Sequence, residues 1–472
     1  MTTYQDFEKA VEKGRVPQFI QSLINGHKSS ADVKTALEAD AYDRQENLTI
    51  GTFVQMMYSL DGRKMMNPVA SNMKIASNFF NILNNQRTNY SLGNGVTFTD
   101  ESVKDRLGQD FDTVLKKAAR YALIHGCSFL FFNKDRCHCF KLTEFAPLYD
   151  ESTGILRAGV RYYQIDYTKP MTAVLYEEDG YTVYRTKKGN TLEEFQPKRG
   201  YLEITNTVPI DENPEVVGYE NYGPLPIVPL WGSDLKQSTL VGMRESIDSY
   251  DLIRSGFAND LRDCAQVYWL ISGAMGMTDN DLRKFRDRLL LDHIALADTD
   301  NGAVTPYTQD IPFQARTAFL DQIRQQIYED YGGLNVSDFA SGTKTATEIQ
   351  AAYQPVDDRA DDFEYQIIQA VQQILRLIGV EDTPIFKRNR ITNQLEQVQM
   401  VMLEAEYLDD ETLLNKLPNI TPDEVKDILK RRDEQDANRL MQYERENQND
   451  NSDEERNSEN NQNVNENESG NG

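Results

Sequence analysis

The sequence predicts an α+β fold in which helices predominate, on the basis of two patterns. Apolar residues recur every three or four positions in several long segments, as they do on one face of a helix. A separate stretch, residues 143–208, alternates apolar and polar residues between the turn sequences DG, KKGN and KRG. That alternation is typical of an antiparallel β meander.

Composition limits the classes of function. The 472 residues suffice for about three structural units or for one elongated subunit. The formal net charge is −25 and the mean hydropathy is −0.61. Because tight phosphate binding requires clustered Lys and Arg, a conventional DNA-binding module is not expected.

The sequence has no recognisable targeting signal and few cysteines, which indicates a reducing compartment. No apolar run reaches the roughly 20 residues that cross a bilayer, and MTTYQDFEKAVEKGR lacks the order of a signal peptide. We therefore expect a protein that is cytosolic where it is made and has no membrane partner. Four cysteines in so long a chain do not form a disulfide framework.

The N-terminal region is predicted to be helical from about residue 4 to residue 90, and then to turn into the apolar strand VTF. A second helix, FDTVLKKAARYALIHG, leads into a buried hairpin at residues 127–142. Within the hairpin, Cys137, His138 and Cys139 are ligand types that zinc prefers. Adjacent strand residues point to opposite faces and no C-x-x-C is present, which favours small buried cysteines over a zinc site.

A proline-rich run, Gly223 to Leu230, is interpreted as a boundary because its prolines exclude both a helix and a central strand. The longest periodic segment follows it and is predicted to be a helix with one apolar stripe. The stripe comprises Leu240, Met243, Ile247, Tyr250, Ile253, Phe257 and Leu261. Between these positions lie carboxylates, and the default interpretation of such a row is a solvated helix face.

Short irregular elements are predicted over residues 272–312, followed by a helix that begins at Phe313. After a glycine-containing loop comes a third long helix, which Pro355 is expected to kink. Two or more helices are predicted beyond residue 384. From about residue 446 the composition is that of a disordered segment.

The loop GGLNVSDFASGTKT contains the ingredients of a phosphate cradle, namely glycines, hydroxyls and a lysine. A P-loop requires Gly, four residues, then Gly-Lys-Ser/Thr, and it follows a buried strand. Here Thr343 separates Gly342 from Lys344, and the loop follows a helix. The sequence therefore argues against a nucleotide site.

No other catalytic constellation is present in the sequence. The four histidines are scattered, and no nucleophile elbow or H-E-x-x-H occurs. The densest acidic group is Asp357, Asp358, Asp361 and Asp362, but consecutive helical residues fan around the axis and rarely converge on one ion. We expect no cofactor and no enzymatic activity.

Over residues 30–440 the order of these parts resembles the portal proteins of tailed bacteriophages, of siphophage type. The most specific stretches are NNQRTNYSLGNGVTF, ARYALIHGCSFLFF, YGPLPIVPLWGSDLKQSTLVGMRESIDSYDLIRSGFANDL and the glycine loop. The resemblance implies a ring of twelve subunits at one capsid vertex, through which DNA is packaged and ejected.

The resemblance also implies a division into wing, stem, clip and crown regions. By position these are the wing at 1–230 with its meander at 143–208, the first stem helix at 231–268, the clip at 269–312, the second stem helix at 313–331, the tunnel loop at 332–344, a kinked wing or crown helix at 345–380, the helical crown at 385–445 and an acidic, Asn-rich tail at 446–472.

Three groups of site residues follow from that division. The tunnel loop contains Gly332, Gly333, Asn335, Ser337, Asp338, Ser341, Gly342, Thr343 and Lys344, and its glycines are expected to act as hinges. The acidic row of the first stem helix contains Glu245, Asp248, Asp251, Asp260 and Asp263, and a negative channel would let phosphates slide. The clip contains Arg283, Lys284, Arg286 and Arg288, a docking surface for the packaging motor and connector.

The implied partners are further copies of the chain, the large terminase subunit, a head-tail connector or adaptor, the major capsid and scaffolding proteins, and double-stranded DNA in the channel. The implied location is the virion, after assembly in the host cytoplasm. Two alternatives stay open: another ring, connector or minor capsid protein of the virion, or a metal-dependent nucleic-acid-processing enzyme that uses the acidic group near residue 360. For Lys344, a transient phosphate contact and an ordinary surface lysine are both open.

Overall fold

The computed structural model of the chain describes residues 2–58, 62–67, 71–134, 136–187, 191–206, 215–264, 268–272, 278–281, 283–284, 303–307, 312–339, 346–389, 401–403, 405, 408–417, 425, 427–432, 434–435 and 437. The chain divides into two compact units. One contains Met1–Thr343 and Ala351–Arg390, and the other contains Lys344–Gln350 and Ile391–Gly472.

The first unit begins with four helices, α1 (Tyr4–Glu12), α2 (Val16–Ser29), α3 (Ala31–Asp43) and α4 (Leu48–Thr52). A two-stranded hairpin follows, β1 (Met56–Tyr58) with β2 (Lys64–Met66), and then α5 (Phe79–Leu92). The prediction of helix throughout residues 4–90 is therefore wrong for the hairpin and for residues 71–78, which have no regular structure. The prediction for these residues depended on their apolar composition, which includes four methionines in the hairpin strands.

The predicted strand after α5 and the predicted hairpin are both present. The strand is β3 (Val96–Thr97); α6 (Ser102–Leu107) and α7 (Phe111–His125) follow. Gly126 ends α7 with φ +88°, a backbone conformation that side chains other than glycine rarely adopt. The chain then enters β4 (Cys127–Asn133) and β5 (Arg136–Lys141), which pair antiparallel and confirm the hairpin.

The proline-rich run is a strand as well as a boundary. Its second half forms β13 (Ile227–Trp231), which pairs with β4 at the edge of a three-stranded sheet ordered β13-β4-β5. Pro229 lies opposite Phe129 in that pairing. An edge strand tolerates proline because one of its sides has no neighbouring strand. The exclusion of a central strand holds.

The predicted meander is confirmed as a five-stranded antiparallel sheet ordered β10-β9-β8-β7-β6. Its strands are β6 (Phe145–Tyr149), β7 (Leu156–Tyr163), β8 (Thr172–Glu177), β9 (Gly180–Thr186) and β10 (Leu192–Arg199), and a separate hairpin follows from β11 (Leu202–Asn206) and β12 (Glu215–Glu220). One face packs on α1 and α2 through Phe7, Ile20 and Ile24. The other packs on the three-stranded sheet through the Phe129 and Phe145 rings, whose centroids are 4.4 Å apart. A one-turn 3₁₀ helix, Leu142–Glu144, joins the two sheets.

His27, at the end of α2, makes the stability of this layer depend on pH. Its Nδ1 is 2.8 Å from the Tyr162 hydroxyl, and burial lowers the pKa of His27 to about 4. The unfolded chain has the ordinary value of about 6.5, so this contribution to stability is complete above pH 6.5 and is lost as the pH falls towards 4. At pH 4.5 we expect a loss of about 2 kcal/mol. Urea unfolding of the wild type and His27→Gln at pH 7 and pH 4.5 measures this difference; equal pH dependence in both would contradict it.

Three long helices complete the first unit: α8 (Arg244–Cys264), α9 (Phe313–Tyr331) and α10 (Ala346–Leu377), the last of which extends into the second unit. Between α8 and α9 lie β14 (Tyr268–Ser272) and β15 (Ala303–Tyr307), which pair antiparallel. The helix α9 has the predicted start, and α10 continues through Pro355. The helix α8 begins later than predicted because residues 239–243 form turns, and the Ser238 hydroxyl accepts a hydrogen bond from the Leu240 amide at their start. It ends at Cys264, and the predicted last residue, Tyr268, lies in a strand.

Two apolar clusters hold these helices. One joins α7, β4, β13 and α10, with Phe363, Ile367, Val371 and Ile374 in its core. The other joins α3, α5, α8 and α9 and contains Leu240, Met243 and Ile247 of the predicted stripe. At the far end of that stripe, Leu261 is 53% exposed, so the stripe is buried in its first half only.

The crown is predicted to begin at residue 385, but residues 385–390 belong to the first unit and the second unit continues from Ile391. Within the first unit, β16 (Ile385–Phe386) pairs with β3. In the second unit, α11 (Asp410–Lys416) is capped by the Asp409 side chain, which accepts a hydrogen bond from the Thr412 amide. The Arg432 guanidinium lies 2.7 Å from Asp410. The acidic tail predicted from residue 446 lies outside the described residues. Within the described parts of the chain, no helix has the length and apolar character that crossing a bilayer requires.

Candidate functional site

The helix pair α8 and α9 and the loop after α9 contain most of the residues that sequence patterns single out. The two helices pack against each other, with the Phe257 and Phe313 ring centroids 5.6 Å apart and an ion pair between Arg316 and Asp260. Their inner side is the cluster shared with α3 and α5. The pair is therefore fixed to the N-terminal helices over the first half of α8.

The acidic row of α8 is not a solvated face. Asp251 is completely buried, Asp248 accepts hydrogen bonds from the Tyr42 and Thr49 hydroxyls, and Asp260 pairs with Arg316. The default interpretation from the sequence is wrong for Asp248 and Asp251, because segments N-terminal to α8 cover them. The Asp260 side chain is ion-paired but 37% exposed. Glu245 is exposed, and nothing is described of the Asp263 side chain.

Asp251 is the centre of a polar ladder along α8, which we define as Asp251, Ser255 and Asn259. Each member bonds to the backbone of residues 73–77, which has no regular structure. The Ser77 amide donates to Asp251 Oδ1 at 2.9 Å, the Ile75 amide to Ser255 Oγ at 3.0 Å, and the Met73 amide to Asn259 Oδ1 at 2.6 Å. The ladder therefore satisfies backbone donors that a sheet would otherwise satisfy.

Asn47 completes the arrangement around Asp251. Its side-chain amide donates both to Asp251 and to the Ser77 carbonyl, the latter at 3.1 Å. Burial raises the pKa of Asp251, while the hydrogen bonds from Asn47 and Ser77 oppose that shift. Asp251 is therefore a structural carboxyl that ties two distant segments to α8.

The first part of the predicted tunnel loop is packed against α5. Gly332 ends α9 with φ +69°, and a Cβ on Gly333 would lie 2.5 Å from Leu83 Cδ2. The Leu334 amide donates to Gln86 Oε1 at 2.9 Å, and Gln86 Nε2 donates to the Leu334 carbonyl at 2.8 Å. In this structure Gly332 is a helix cap and Gly333 permits a close approach to α5, and the role of the two glycines as hinges stays a prediction.

Two arginines hold the same region. Arg87 donates to the Tyr331 carbonyl at 2.5 Å and its guanidinium lies 4.0 Å from the centroid of the Tyr331 ring; burial lowers the pKa of Arg87. Arg324 donates to Ser337 Oγ at 2.7 Å and to Asn335 Oδ1 at 3.5 Å. A short 3₁₀ helix, Val336–Phe339, follows. Residues 332–337 thus form a fixed base for the loop.

The remaining predicted site residues are only partly described. The Asp338 backbone belongs to the 3₁₀ helix, while Ser341, Gly342, Thr343 and Lys344 lie outside the described residues. Of the residues predicted for the clip, Arg283 and Lys284 are exposed, and Arg286 and Arg288 lie outside the described residues.

Two members of the acidic group near residue 360, Asp357 and Asp361, surround an arginine together with Glu364. Asp358 instead accepts a hydrogen bond from Gln354. Arg388 donates to Glu364 through two nitrogens, at 3.0 and 2.9 Å, and to Asp357 at 3.0 Å, and it also pairs with Asp361. These contacts, chiefly the hydrogen bond to Glu364, raise the pKa of Arg388. The carboxylates are spaced three and four residues apart on α10, so they share one face and enclose a single cation.

The cysteines of the hairpin are free thiols, of which Cys127 and Cys137 are buried and Cys139 is half-buried. Burial raises the pKa of both Cys137 and Cys139 to about 12, so both carry their protons at neutral pH. Among the residues that the structure describes, no group of three or more His, Cys, Asp or Glu side chains is arranged to hold a metal ion.

Sequence reasoning did not identify Asn47, Gln86, Arg87 or Arg388. Gln86 and Arg87 lie in NNQRTNYSLGNGVTF, a stretch singled out by resemblance, but helical spacing gives no sign that they bind a loop about 245 residues away. Arg388 lies in a short polar segment with no periodic pattern.

Comparisons with known proteins agree on one family. The family model described as "Phage portal protein, SPP1 Gp6-like" matches residues 39–438. The portal protein of Clostridium phage phiCD119 is 22% identical over 426 residues, covering 82% of this chain and 92% of that protein. The portal protein of Bacillus phage SPP1 is 23% identical over 414 residues, covering 81% and 79%.

A solved structure described as "Neck of empty GTA particle computed with C6 symmetry" is also similar, at 11% identity, over 81% of this chain and 92% of that chain. Its TM-score of 0.38 is too low to establish a shared fold. The family model, in contrast, spans most of the chain and confirms the resemblance found in the sequence. This chain belongs to the phage portal protein family.

Proposed function

We propose that twelve copies of this chain form a closed ring at one vertex of a phage capsid, and that the ring is the channel through which double-stranded DNA is packaged and ejected. The observation that carries the proposal is the family match over residues 39–438. Portal proteins are structural components of the virion, and no catalytic step is assigned to the chain. Assembly in the host cytoplasm precedes incorporation into the capsid.

The proposed regions correspond to segments of the chain. The wing comprises residues 1–230, the two stem helices correspond to α8 and α9, the clip lies between them, and the crown follows residue 390. This assignment is supported by the order of the elements and by the packing of α8 on α9.

A negative channel remains part of the proposal, but with fewer residues of α8. Asp248, Asp251 and Asp260 are occupied by hydrogen bonds or an ion pair within the chain. Of the predicted row, Glu245 is the exposed member whose side chain is described. Repulsion of DNA in the channel would then depend on the net charge of −25 per copy, repeated around the ring.

The tunnel loop is proposed to have a fixed part and a DNA-facing part. Residues 332–337, packed on α5, would hold the loop in position, and residues after Ser337 would approach the DNA. Lys344, repeated around the ring, would then make transient contacts with phosphate. Arg283, Lys284, Arg286 and Arg288 of the clip would contact the large terminase subunit and then the head-tail connector.

Negative-stain electron microscopy of the purified full-length chain tests the ring, and a closed ring with a central hole is expected.

Lys344→Ala should leave the ring intact and reduce DNA packaging into capsids several-fold, since only a transient contact is lost. Lys34→Ala, at an exposed lysine of α3, is the matched control and should package normally. A stable monomer would contradict the proposed function, and normal packaging by Lys344→Ala would contradict the role of that lysine.

Deleting the loop at residues 333–343 would be a poor test of its role. It would remove Leu334, which is buried, together with its two hydrogen bonds to Gln86. The nuclease alternative gains no support, because Asp357, Asp361 and Glu364 surround the Arg388 guanidinium. No observation favours a connector or minor capsid protein over a portal protein.

A further inference from the structure

A methionine-rich segment of the first unit follows α4. We call residues 53–74 the arm, of which the structure describes residues 53–58, 62–67 and 71–74. It contains five of the 13 methionines of the chain, Met56, Met57, Met65, Met66 and Met73. Tyr58 is 72% exposed and Met66 is 60% exposed. Methionine is flexible and polarisable, and it is frequent at surfaces that bind other proteins.

The described side chains of the arm lie outside the apolar core of their own chain. None of them belongs to the four apolar clusters of the described residues. Contiguous exposed apolar residues of this kind indicate an interaction surface, whereas single exposed ones do not.

A complementary hollow lies between α8 and α9. We call it the groove, and define it by Ile253, Gly256, Ala315, Arg316 and Phe319. It is an open hollow of about 410 Å³. A Cβ added to Gly256 would meet no atom within 4 Å, and Phe319 is 44% exposed. The groove can therefore receive apolar side chains without rearrangement of α8.

The arm and the groove lie on different sides of α8. On one face of α8, Asn259 holds Met73 at the end of the arm. Ser255 and Asp251 on the same face hold Ile75 and Ser77, which follow it. Successive helical residues are rotated by about 100°, so Ile253 and Gly256 lie on a face about 130° away. Two different surfaces that face in different directions produce head-to-tail contacts between copies, and such contacts generate a ring when the rotation between copies closes.

The charges of the two surfaces are also complementary. The arm has a net charge of +2, in a chain whose net charge is −25. Its charged residues are Arg63, Lys64, Lys74 and Asp61. Among the described side chains of α8 and α9, the solvent-exposed charges are four carboxylates and two arginines, a net charge of −2: Glu245, Asp321, Glu329 and Asp330 with Arg254 and Arg262. A basic, methionine-rich segment therefore suits the acidic helix pair of another copy better than it suits a basic surface.

We propose that the arm of one copy packs into the groove of the adjacent copy in the ring. The inference rests on the proposed ring, and it assigns the surfaces by which neighbouring copies recognise each other. Met56, Tyr58, Met65 and Met66 supply the apolar contacts, and the Gly256 position leaves space for them.

Cysteine cross-linking tests the contact directly. Met66→Cys places a thiol on the arm, and Ala315→Cys places one in the groove. In assembled rings of the double variant, oxidation should produce a ladder of covalent oligomers on a non-reducing gel, because each copy is joined to the next. Each single variant is a control for the native cysteines and should give no ladder.

Variants that remove the apolar contact between arm and groove test whether ring assembly depends on it. Tyr58→Asp with Met66→Asp should reduce the ring fraction more than tenfold in size-exclusion chromatography. Ile165→Asp with Tyr167→Asp is the matched control, since these side chains are 86% and 91% exposed elsewhere in the first unit, and it should assemble normally. Gly256→Leu should block the groove, whereas Gly26→Leu, at a helical glycine with equally open space, should not. Urea unfolding of each variant checks that the chain itself is folded.

The outcomes separate this inference from the proposed function. A wild-type ring with a cross-linked ladder and weakened arm and groove variants supports it. A wild-type ring that forms equally well in those variants, without a ladder, overturns the inference and leaves the ring intact. Normal rings that fail only to enter capsids would assign the arm to a capsid protein and would also overturn it. Absence of a wild-type ring would overturn both.

Discussion

Replacing Asp251 with alanine is expected to lower the free energy of unfolding by about 3 kcal/mol. The change removes a completely buried carboxyl that accepts hydrogen bonds from the Ser77 amide and the Asn47 side chain, and it leaves both donors without that acceptor. The Ser77 amide would lose its acceptor. Asn47 would keep only its bond to the Ser77 carbonyl. Urea unfolding measures the change, and hydrogen exchange at the amides of Ile75 and Ser77 locates it.

Two variants give this experiment its controls. Asp251→Asn has nearly the same shape, but one of its side-chain positions becomes a donor facing the Asn47 amide, so an intermediate loss of about 1.5 kcal/mol is expected. Glu245→Ala removes an exposed carboxylate of the same helix and should change stability by less than about 0.5 kcal/mol. An unchanged urea midpoint in Asp251→Ala, with Ser77 still protected from exchange, would show that the ladder does not hold the segment.

The pH dependence of Asp251 has a defined sign. Burial raises its pKa in the folded chain above the value in the unfolded chain. Its contribution to stability is therefore most favourable below the ordinary pKa of aspartate and decreases as the pH rises through the raised value. Asp251→Ala should lack that decrease.

Replacing Arg388 with alanine is expected to cost about 3 kcal/mol or more. The change removes the cation from Asp357, Asp361 and Glu364, and Glu364 is only 8% exposed. Breaking a largely buried ion pair leaves an uncompensated charge, and this cost exceeds the value of the pair itself. The stability of the first unit in urea measures the effect.

Lysine at the same position provides a graded comparison. Arg388→Lys keeps the positive charge but cannot form the two-nitrogen contact with Glu364, so about half of the loss is expected. Arg376→Ala changes an exposed arginine of the same helix and should have little effect. An Arg388→Ala variant that unfolded at the wild-type urea concentration would contradict this prediction. It would show that the negative charge of Asp357, Asp361 and Glu364 does not require the Arg388 guanidinium.

Local patterns predicted much of the secondary structure. The period of α9, the alternation in β6–β10 and the glycine at the end of α7 each depend on residues within one or two turns or strands of one another. The same local patterns failed at residues 53–78, because the methionine-rich hairpin has apolar residues without a buried face to set their period. The later start of α8 was missed because residues 239–243 form turns, at the start of which the Ser238 hydroxyl accepts a hydrogen bond.

The candidate site was located by the sequence, but its chemistry was not. Asp251 and Glu245 lie in the same acidic row, yet one is completely buried and the other is exposed. Gly332 and Gly333 suggested flexibility, although Leu83, Gln86 and Arg359 occupy the space around them. Each difference depends on which distant element covers a given face.

Residue order and short spacings were enough to identify the family, the predominance of helices with one antiparallel meander, and the failure of the glycine loop to match a P-loop. They were not enough to show which carboxylates are structural, that the base of the loop is fixed, or that part of the acidic group near residue 360 encloses Arg388. The cause is separation along the chain. Asp251 meets Ser77 across 174 residues and Gln86 meets Leu334 across 248, so burial and pairing at these positions arise only once the chain has folded.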